Sequence, residues 1–517
     1  MARTLLFSSS LLLLAGALGL ASCSDDGTGG QGGSGATGGT GGAGATGGMG
    51  GTGGTGGGTG GTGGVGGIGG TGGTGGIGGT GGTGGVGGTG GIGGTGGGGG
   101  EGGLGGAGGA GGAGGAGGAG GLGGAGGAGG GGGEGGDPLA VDKDMDGWTI
   151  GDGDCCDNDV KCDIPGSVNP GAFEYLGNGI DDDCDPSTKD DVAAVDCTDP
   201  PLATPTSTLE LVKAMDLCQF TTENPPLPQK KWGVIASYLQ LADGTNAVVP
   251  KDVQVGVLAN YGPNVLPKKG TTMAVLSTGT ARDEGDLGFI HPQNGPDPEI
   301  QKGNYKANTV CPIPAPYLTA NGGKLPSPPE CPACVGENCT KAFDSVNFKM
   351  RIRVPTNARS FSYRLKSYTS EYPEYSCGQF NDFFLALLKS NWTPDPMANP
   401  PQAPLPADRN IAKDSTGKTI TVNNAFYEVC FPSPISPPGA CPAGVLELLG
   451  TGMGGWSGDY KDGGGTVWLV NDAPVVPGET IEIEFIIADA GDSNVDSTVL
   501  LDYFRWDIKA AAAGVHK

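Results

Sequence analysis

Towards the C-terminal end of the chain, apolar and polar positions alternate with a period of two. Phe348, Met350, Ile352 and Val354 are separated by Lys349, Arg351 and Arg353, and Phe361, Tyr363 and Leu365 by Ser362 and Arg364. Ile481, Ile483, Phe485 and Ile487 follow the same rule, with Glu482 and Glu484 between the first three. Successive side chains of a strand point to opposite faces, so this pattern predicts strands with one face in a core and the other towards water. Further strands are predicted at residues 234–241, 253–259, 273–277, 383–388, 466–470 and 498–506, separated by Gly, Pro and Asn turns. One short helix, residues 208–217, precedes them, with Ser207 or Thr208 as its N-cap. The Pro-rich stretches around 312–339 and 394–407 read as surface loops. Many strands and little helix define a mainly β domain over residues 202–509, with a β-sandwich or jelly-roll-like architecture.

Patterning of this kind is absent between residues 27 and 136. That segment repeats Gly-Gly-X, with X mostly Thr, Ala, Ile or Val, and holds most of the 111 glycines. It has no apolar face to offset the entropy of ordering glycine, and it lacks the prolines of a collagen helix. A bundle of helices with three residues per turn would suit the period, but not a single chain. Residues 23–136 are therefore predicted to be a long disordered Gly-rich linker, spanning roughly 60 Å root-mean-square as a coil.

The first 22 residues have the features of an export signal. Arg3 supplies positive charge, an apolar stretch runs from Leu5 to Leu20, and small residues close it in Leu20-Ala21-Ser22-Cys23. This tetrapeptide resembles the lipobox of bacterial lipoproteins. The resemblance implies cleavage after residue 22 and lipidation of Cys23, an anchor that multiple acyl chains make stable. Ser24, not an aspartate, follows the cysteine, which in the enterobacterial sorting rule favours the outer membrane over the inner.

Charge is concentrated just beyond the linker. Residues 137–191 carry sixteen acids and three lysines, within a chain whose net charge is −25. Such a balance argues against nucleic acid as a partner and suits the collection of divalent cations. Within this acidic module, Asp142, Asp144 and Asp146 alternate and are followed by Gly147 and Trp148. Carboxylates at alternate positions converge on one ion, glycine permits the turn, and the Trp148 carbonyl can add an oxygen. An EF-hand would need Glu at the twelfth position, where Gly153 stands between Asp152 and Asp154. The pattern continues through Asp157 and Asp159, then Asn169-Pro-Gly-Ala-Phe-Glu174, then Asp181, Asp183 and Asp185. Hard oxygen ligands point to calcium as the cofactor, and a segment with so little apolar material is expected to fold on calcium and disulfides.

These elements resemble the MopE-type metal-binding repeat of bacterial surface proteins and, in style, thrombospondin type 3 repeats. Departures are the Tyr175-Leu176 region where a cysteine often stands, the additional Cys156 and Cys162, and Pro186 in place of a final glycine. Pairing of Cys155 or Cys156 with Cys184 is the connectivity expected. Residues 202–509 resemble the choice-of-anchor L family of bacterial extracellular domains. The likeness rests on Gly233-Val-Ile-Ala-Ser-Tyr238, Val275-Leu-Ser-Thr-Gly279, Ser370-Glu371-Tyr372-Pro-Glu374-Tyr375, Phe380-Asn381-Asp382-Phe383-Phe384, Pro477-Gly478-Glu479-Thr480 and the stretch from Asp489 to Asp502. It implies a β-sandwich displayed on the cell surface, without catalytic activity.

Two further groups could carry chemistry. Asn381 and Asp382 open one predicted strand, and Asp489, Asp492, Asp496 and Asp502 surround the turn between the last two. They would form a second metal or ligand site if these ends meet, and they serve equally well as turn caps. Glu371 and Glu374 could be an acid/base pair for glycoside hydrolysis, although such residues are usually solvated. Histidines number two: His291 in a Gly/Pro/Asp-rich loop and His516 at an end expected to fray. Their scarcity disfavours hydrolytic enzymes built on histidine. Of the fourteen cysteines, Cys311, Cys331, Cys334 and Cys339 lie in an insertion where, in an exported protein, disulfides are expected rather than zinc. The function that emerges is non-catalytic: a lipid-anchored surface protein using its membrane anchor and a calcium-stabilised sandwich to bind an extracellular glycan or surface protein. A structural envelope spacer without a specific ligand is the alternative.

Overall fold

The structure, a computed structural model, describes residues 137–517 except 159–163, 189, 191–196, 198–204, 206, 243, 245–252, 293–312, 327–341, 379, 400, 424–425, 433–439, 455–461 and 492–493. The export signal, Cys23, the Gly-Gly-X tract, Asp159, Cys162, Cys311, Cys331, Cys334, Cys339 and Asp492 lie outside the described residues. Among those described, no helix is long and apolar enough to cross a membrane.

Helix α1 (Thr208–Ala214) opens the domain. Ser207 caps it, the carboxylate of Glu210 reaches back to the Ser207 N–H at 3.3 Å, and Leu211, Val212 and Ala214 are buried. Thirteen strands follow among the described residues: β1 (Gly233–Gln240), β2 (Val255–Leu258), β3 (Met273–Ser277), β4 (Ala342–Arg353), β5 (Ser360–Thr369), β6 (Phe383–Lys389), β7 (Ile420–Thr421), β8 (Tyr427–Cys430), β9 (Gly464–Thr466), β10 (Leu469–Pro474), β11 (Thr480–Ala490), β12 (Ser497–Asp507) and β13 (Gly514–His516). They form two antiparallel sheets. The first runs β13–β10–β5–β12–β3–β2, with β9 bridging β5 and β8, and the second runs β1–β4–β11–β6–β7.

The period-two pattern explains how the sheets meet. Val346, Phe348, Met350 and Ile352 of β4, and Ile481, Ile483, Phe485 and Ile487 of β11, enter one core with Phe361, Tyr363 and Leu365 of β5 and Val499 and Leu501 of β12. Phe485 is central. Its ring is edge-on to Tyr363 across the sheets at 5.0 Å and stacks with Phe384 at 6.2 Å within its own sheet. The polar residues between them form cross-strand ion pairs on the outer face. Glu484 lies opposite Lys349, and Glu482 opposite both Arg351 and Lys389. Lys349 and Lys389 approach Glu482 at 2.7 and 3.2 Å.

Strict alternation breaks where a second layer covers the sheet. Phe383, Leu385, Leu387, Ile486 and Ala488 form an outer apolar patch covered by Ile313, Leu325 and Tyr317, the last on the short helix α2 (Ala315–Ala320). β6 therefore reads as an unbroken apolar run because both its faces are buried.

Several expectations change. Residues 466–470 divide between β9 and β10, and β7, β8, β13 and α2 arise in segments without a clear periodic pattern. The C-terminus does not fray at His516, which pairs with Val470 in the β10–β13 ladder and lies 3.4 Å from Asp472. The domain thus continues past residue 509. Phe485→Ala is expected to cost about 3–5 kcal/mol through the cavity it leaves. Lys389→Ala, at the exposed end of the ion-pair ladder, should cost no more than about 1 kcal/mol. Chemical denaturation of the two variants measures both, and equal midpoint shifts would refute this placement of the core.

Candidate metal centres

The acidic module forms a collar of turns with a small interior. Trp148, Cys156, Val168 and Ala172 are buried, and Cys155 is disulfide-bonded to Cys184. Side chains alternate as the spacing requires. Asp142, Asp144 and Asp146 are half-buried, whereas Lys143, Met145 and Gly147 between them are exposed. Met145 and Gly147 adopt φ of 64° and 97°, which turns the chain so that the aspartates converge. Asp142 accepts the N–H groups of Met145 and Gly147, at 2.6 and 3.0 Å.

Two sets of three carboxylates result, each offering oxygens within 4.8 Å of one another: Asp142, Asp144 and Asp157, and Asp144, Asp146 and Asp154. They differ in what already satisfies them. Lys143 donates its N–H and its ammonium to Asp157, each at 2.7 Å, which holds that carboxyl below its usual range. In the second set, one oxygen of Asp144 accepts from Asp146 N–H and one of Asp154 from Cys156 N–H, while Oδ2 of each is buried without a hydrogen-bond partner. Burial, aided by neighbouring carboxylates, raises the pKa of Asp144 and Asp154. Burial pushes Asp146 up to about 6 against hydrogen bonds from Trp148 and Asn169. A divalent cation would reverse these penalties, since it stabilises the charged form that burial disfavours.

A third set lies at the far end of the collar. Glu174, Asp181 and Asp183 also bring oxygens within 4.8 Å. Oε2 of Glu174 accepts the Asp182 N–H at 3.0 Å and Oε1 is buried without a partner. Burial and then the adjacent Asp182, Asp183 and Asp181 push Glu174 up to about 7. Glu174 stands in the Asn-Pro-Gly-Ala-Phe-Glu element but was not among the expected ligands. It stands outside the alternating Asp181–Asp183–Asp185 run, which is what concealed it.

The remaining expected ligands have other partners. Asp152 accepts the Thr149 hydroxyl at 2.7 Å in a tight turn. Asp185 accepts the Ser187 N–H and hydroxyl and meets Lys231 at 3.4 Å. The Trp148 N–H donates to Asp146 at 2.8 Å, and its buried ring packs so close to Gly171 that a side chain there would touch it.

The collar is not a free-standing bead. Asn169 donates to Asp146 at 2.8 Å and its carbonyl oxygen accepts the Thr356 hydroxyl at 2.6 Å, so one side chain joins the carboxylates to the sandwich. The Phe173 backbone exchanges hydrogen bonds with the Asn357 amide at 3.0 and 2.8 Å, and its ring packs against the main core.

The second expected group divides. Asp382, Asp489 and Asp496 are buried at one end of the sandwich. Asn381 spends its amide on the Pro326 carbonyl and on Asn423, both at 2.6 Å. Asp502 is elsewhere: five residues along β12 from Ser497, or roughly 17 Å, it accepts N–H bonds from Lys268, Lys269 and Tyr503. It anchors the β2–β3 connection, a placement that proximity in sequence hid. Glu371 is buried, not solvated, and accepts the Asp382 N–H at 3.3 Å. His291 contacts the Pro292 carbonyl through Nδ1 at 2.8 Å, beside Phe289.

The fold is a two-sheet β-sandwich that carries an acidic collar of carboxylate clusters. The family model described as the Choice-of-anchor L domain matches residues 333–504. The match covers β4 to most of β12, while β1, β2 and β3, which complete both sheets, lie before it. A choice-of-anchor domain points to an exported, cell-surface-associated protein. No curated protein and no solved structure matches the chain at a significant level.

The collar's cross-link makes a local prediction. Replacing Cys155 and Cys184 together with Ser removes the constraint on a 29-residue separation, worth about 3–4 kcal/mol. Limited proteolysis should then cut first within residues 142–188, leaving the sandwich intact. An unchanged digestion pattern would contradict the collar's dependence on this bond.

Proposed function

We propose that the chain is a non-catalytic surface lipoprotein, tethered through Cys23 and its Gly-rich linker, probing its surroundings with a β-sandwich that calcium-bound carboxylates stiffen. The observation that carries this reading is the pair of buried, unpartnered Oδ2 atoms of Asp144 and Asp154 facing Asp146, linked through Asn169 to Thr356 of the sandwich. Calcium fits these donors because it accepts six to eight oxygens in flexible geometry, which carboxylates, carbonyls and water supply together. Magnesium keeps its waters and its octahedron, and zinc prefers nitrogen and sulfur. An ion here would fix the angle at which the sandwich leaves its tether. The ligand we assign to the displayed domain is an extracellular glycan or surface protein, and the outer membrane is the location that Ser24 favours.

Three outcomes test the parts separately. Calcium titrated into the full chain by calorimetry should bind, and Asp144→Asn with Asp154→Asn should weaken that binding at least tenfold. Cys23→Ala should move the protein from the membrane fraction to the soluble fraction of cells expressing it. Binding to a glycan array that disappears with chelator supports adhesion, whereas a blank array with intact calcium binding favours a structural spacer.

A further inference from the structure

Among the described residues of the collar, Lys143 is the only basic one, and it stands between Asp142 and Asp144 in the alternating run. The aspartates on either side are half-buried, so the lysine between them turns towards water, with 43% of its side chain exposed. Its head nevertheless comes back. The Lys143 N–H donates to Oδ1 of Asp157 and its ammonium to Oδ2, each at 2.7 Å, and the Asp157 side chain is fully buried. One residue thus engages both oxygens of one acid. Asp144, Asp146 and Asp154, the second carboxylate set, all lie between positions 143 and 157. The pair is therefore a clasp that closes the loop carrying them.

The two carboxylate sets at this end of the collar share Asp144, and they differ in what balances their charge. In the set of Asp142, Asp144 and Asp157, both oxygens of Asp142 accept backbone N–H groups, from Met145 and Gly147, and both of Asp157 accept from Lys143. That set already contains a cation. In the set of Asp144, Asp146 and Asp154, the donors are neutral. Asp146 accepts the Trp148 N–H and the Asn169 amide, each at 2.8 Å, and Asp154 accepts the Cys156 N–H at 2.7 Å. Asp154 is only 3% exposed, and its Oδ2, like that of Asp144, is buried without a hydrogen-bond partner. A buried carboxylate without a compensating charge is strongly destabilising. The need for an external cation is therefore confined to the second set.

Resting on the calcium reading above, we propose that Lys143 is a built-in cation that limits this end of the collar to one calcium ion. Its ammonium neutralises Asp157 and occupies the first set, and the single ion falls to Asp144, Asp146 and Asp154. Two calcium ions in sets that share Asp144 would be bridged by one carboxylate and would repel each other at that range. An ammonium carries half the charge, on a flexible stem, and does not demand the six or more oxygens that calcium gathers. Asp157 is thus an acid of the clasp and not a ligand, contrary to what its place in the aspartate pattern suggests.

The test uses the full chain carrying Glu174→Gln, which removes the third carboxylate set, and counts bound calcium by equilibrium dialysis against calcium chloride after exhaustive chelation. This parent should bind one calcium per chain. Lys143→Met should raise the count to two, Lys143→Arg should leave it at one, and adding Asp157→Asn to Lys143→Met should return it to one. If Lys143→Met leaves the count unchanged while Asp154→Asn in the parent removes the ion, the proposal is overturned and the calcium reading stands. A parent that binds no calcium, or that keeps its calcium after Asp154→Asn, refutes the calcium reading at this site and the proposal with it. Asp157→Asn alone reaches the same point with Lys143 in place. The parent's ion should survive it, and loss of that ion would make Asp157 a ligand and sink the proposal even where Lys143→Met does not fold.

Discussion

Carboxylates brought together away from water repel one another and resist ionisation, and the form of this protein follows from how that cost is met. On the outer face of the second sheet it is met by lysine and arginine at neighbouring register positions, as where Glu482 faces Arg351 and Lys389. In the collar, backbone N–H groups satisfy one oxygen of Asp144 and one of Asp154 and leave the other oxygen of each buried without a partner. On the proposed function, a shared cation meets the cost of these oxygens. A segment whose interior amounts to little more than Trp148, Cys156, Val168 and Ala172 has no apolar core large enough to bring those groups together by burial alone.

The sandwich obeys the opposite logic. Its strands pair through a period-two code, and the core around Phe485 and Tyr363 is sufficient to define which faces meet. That difference suits display. On the proposed function, a self-sufficient domain keeps its surface constant, while a collar that depended on a bound ion would respond to calcium. Asn169, bonded to Asp146 on one side and Thr356 on the other, links the two, as do the hydrogen bonds between Phe173 and Asn357.

Legibility in the sequence tracked periodicity. β3 occupies the residues expected of it, and β1, β4, β5, β6 and β11 lie where apolar and polar residues alternate or run together. β13 and α2 escaped because short edge elements gain their order from packing, not from a pattern of their own. For the carboxylates, spacing located the Asp142–Asp144–Asp146 run, since ligands that converge within one turn must be close in sequence. It failed for Glu174, which stands outside the alternating run and reaches Asp181 and Asp183 through a turn. It misled for Asp502, which is near Asp496 in the chain and a strand's length away in space. His516 was misjudged for a related reason, because a terminus paired in a ladder does not fray.

Calcium ordering the collar against the sandwich is the central element of the proposed function. Amide hydrogen exchange of the full chain, with and without calcium, measures this directly. It predicts strong calcium-dependent protection of residues 142–157 and 174–185, and little change in β5 and the central part of β11. Identical exchange in the collar under both conditions would contradict it.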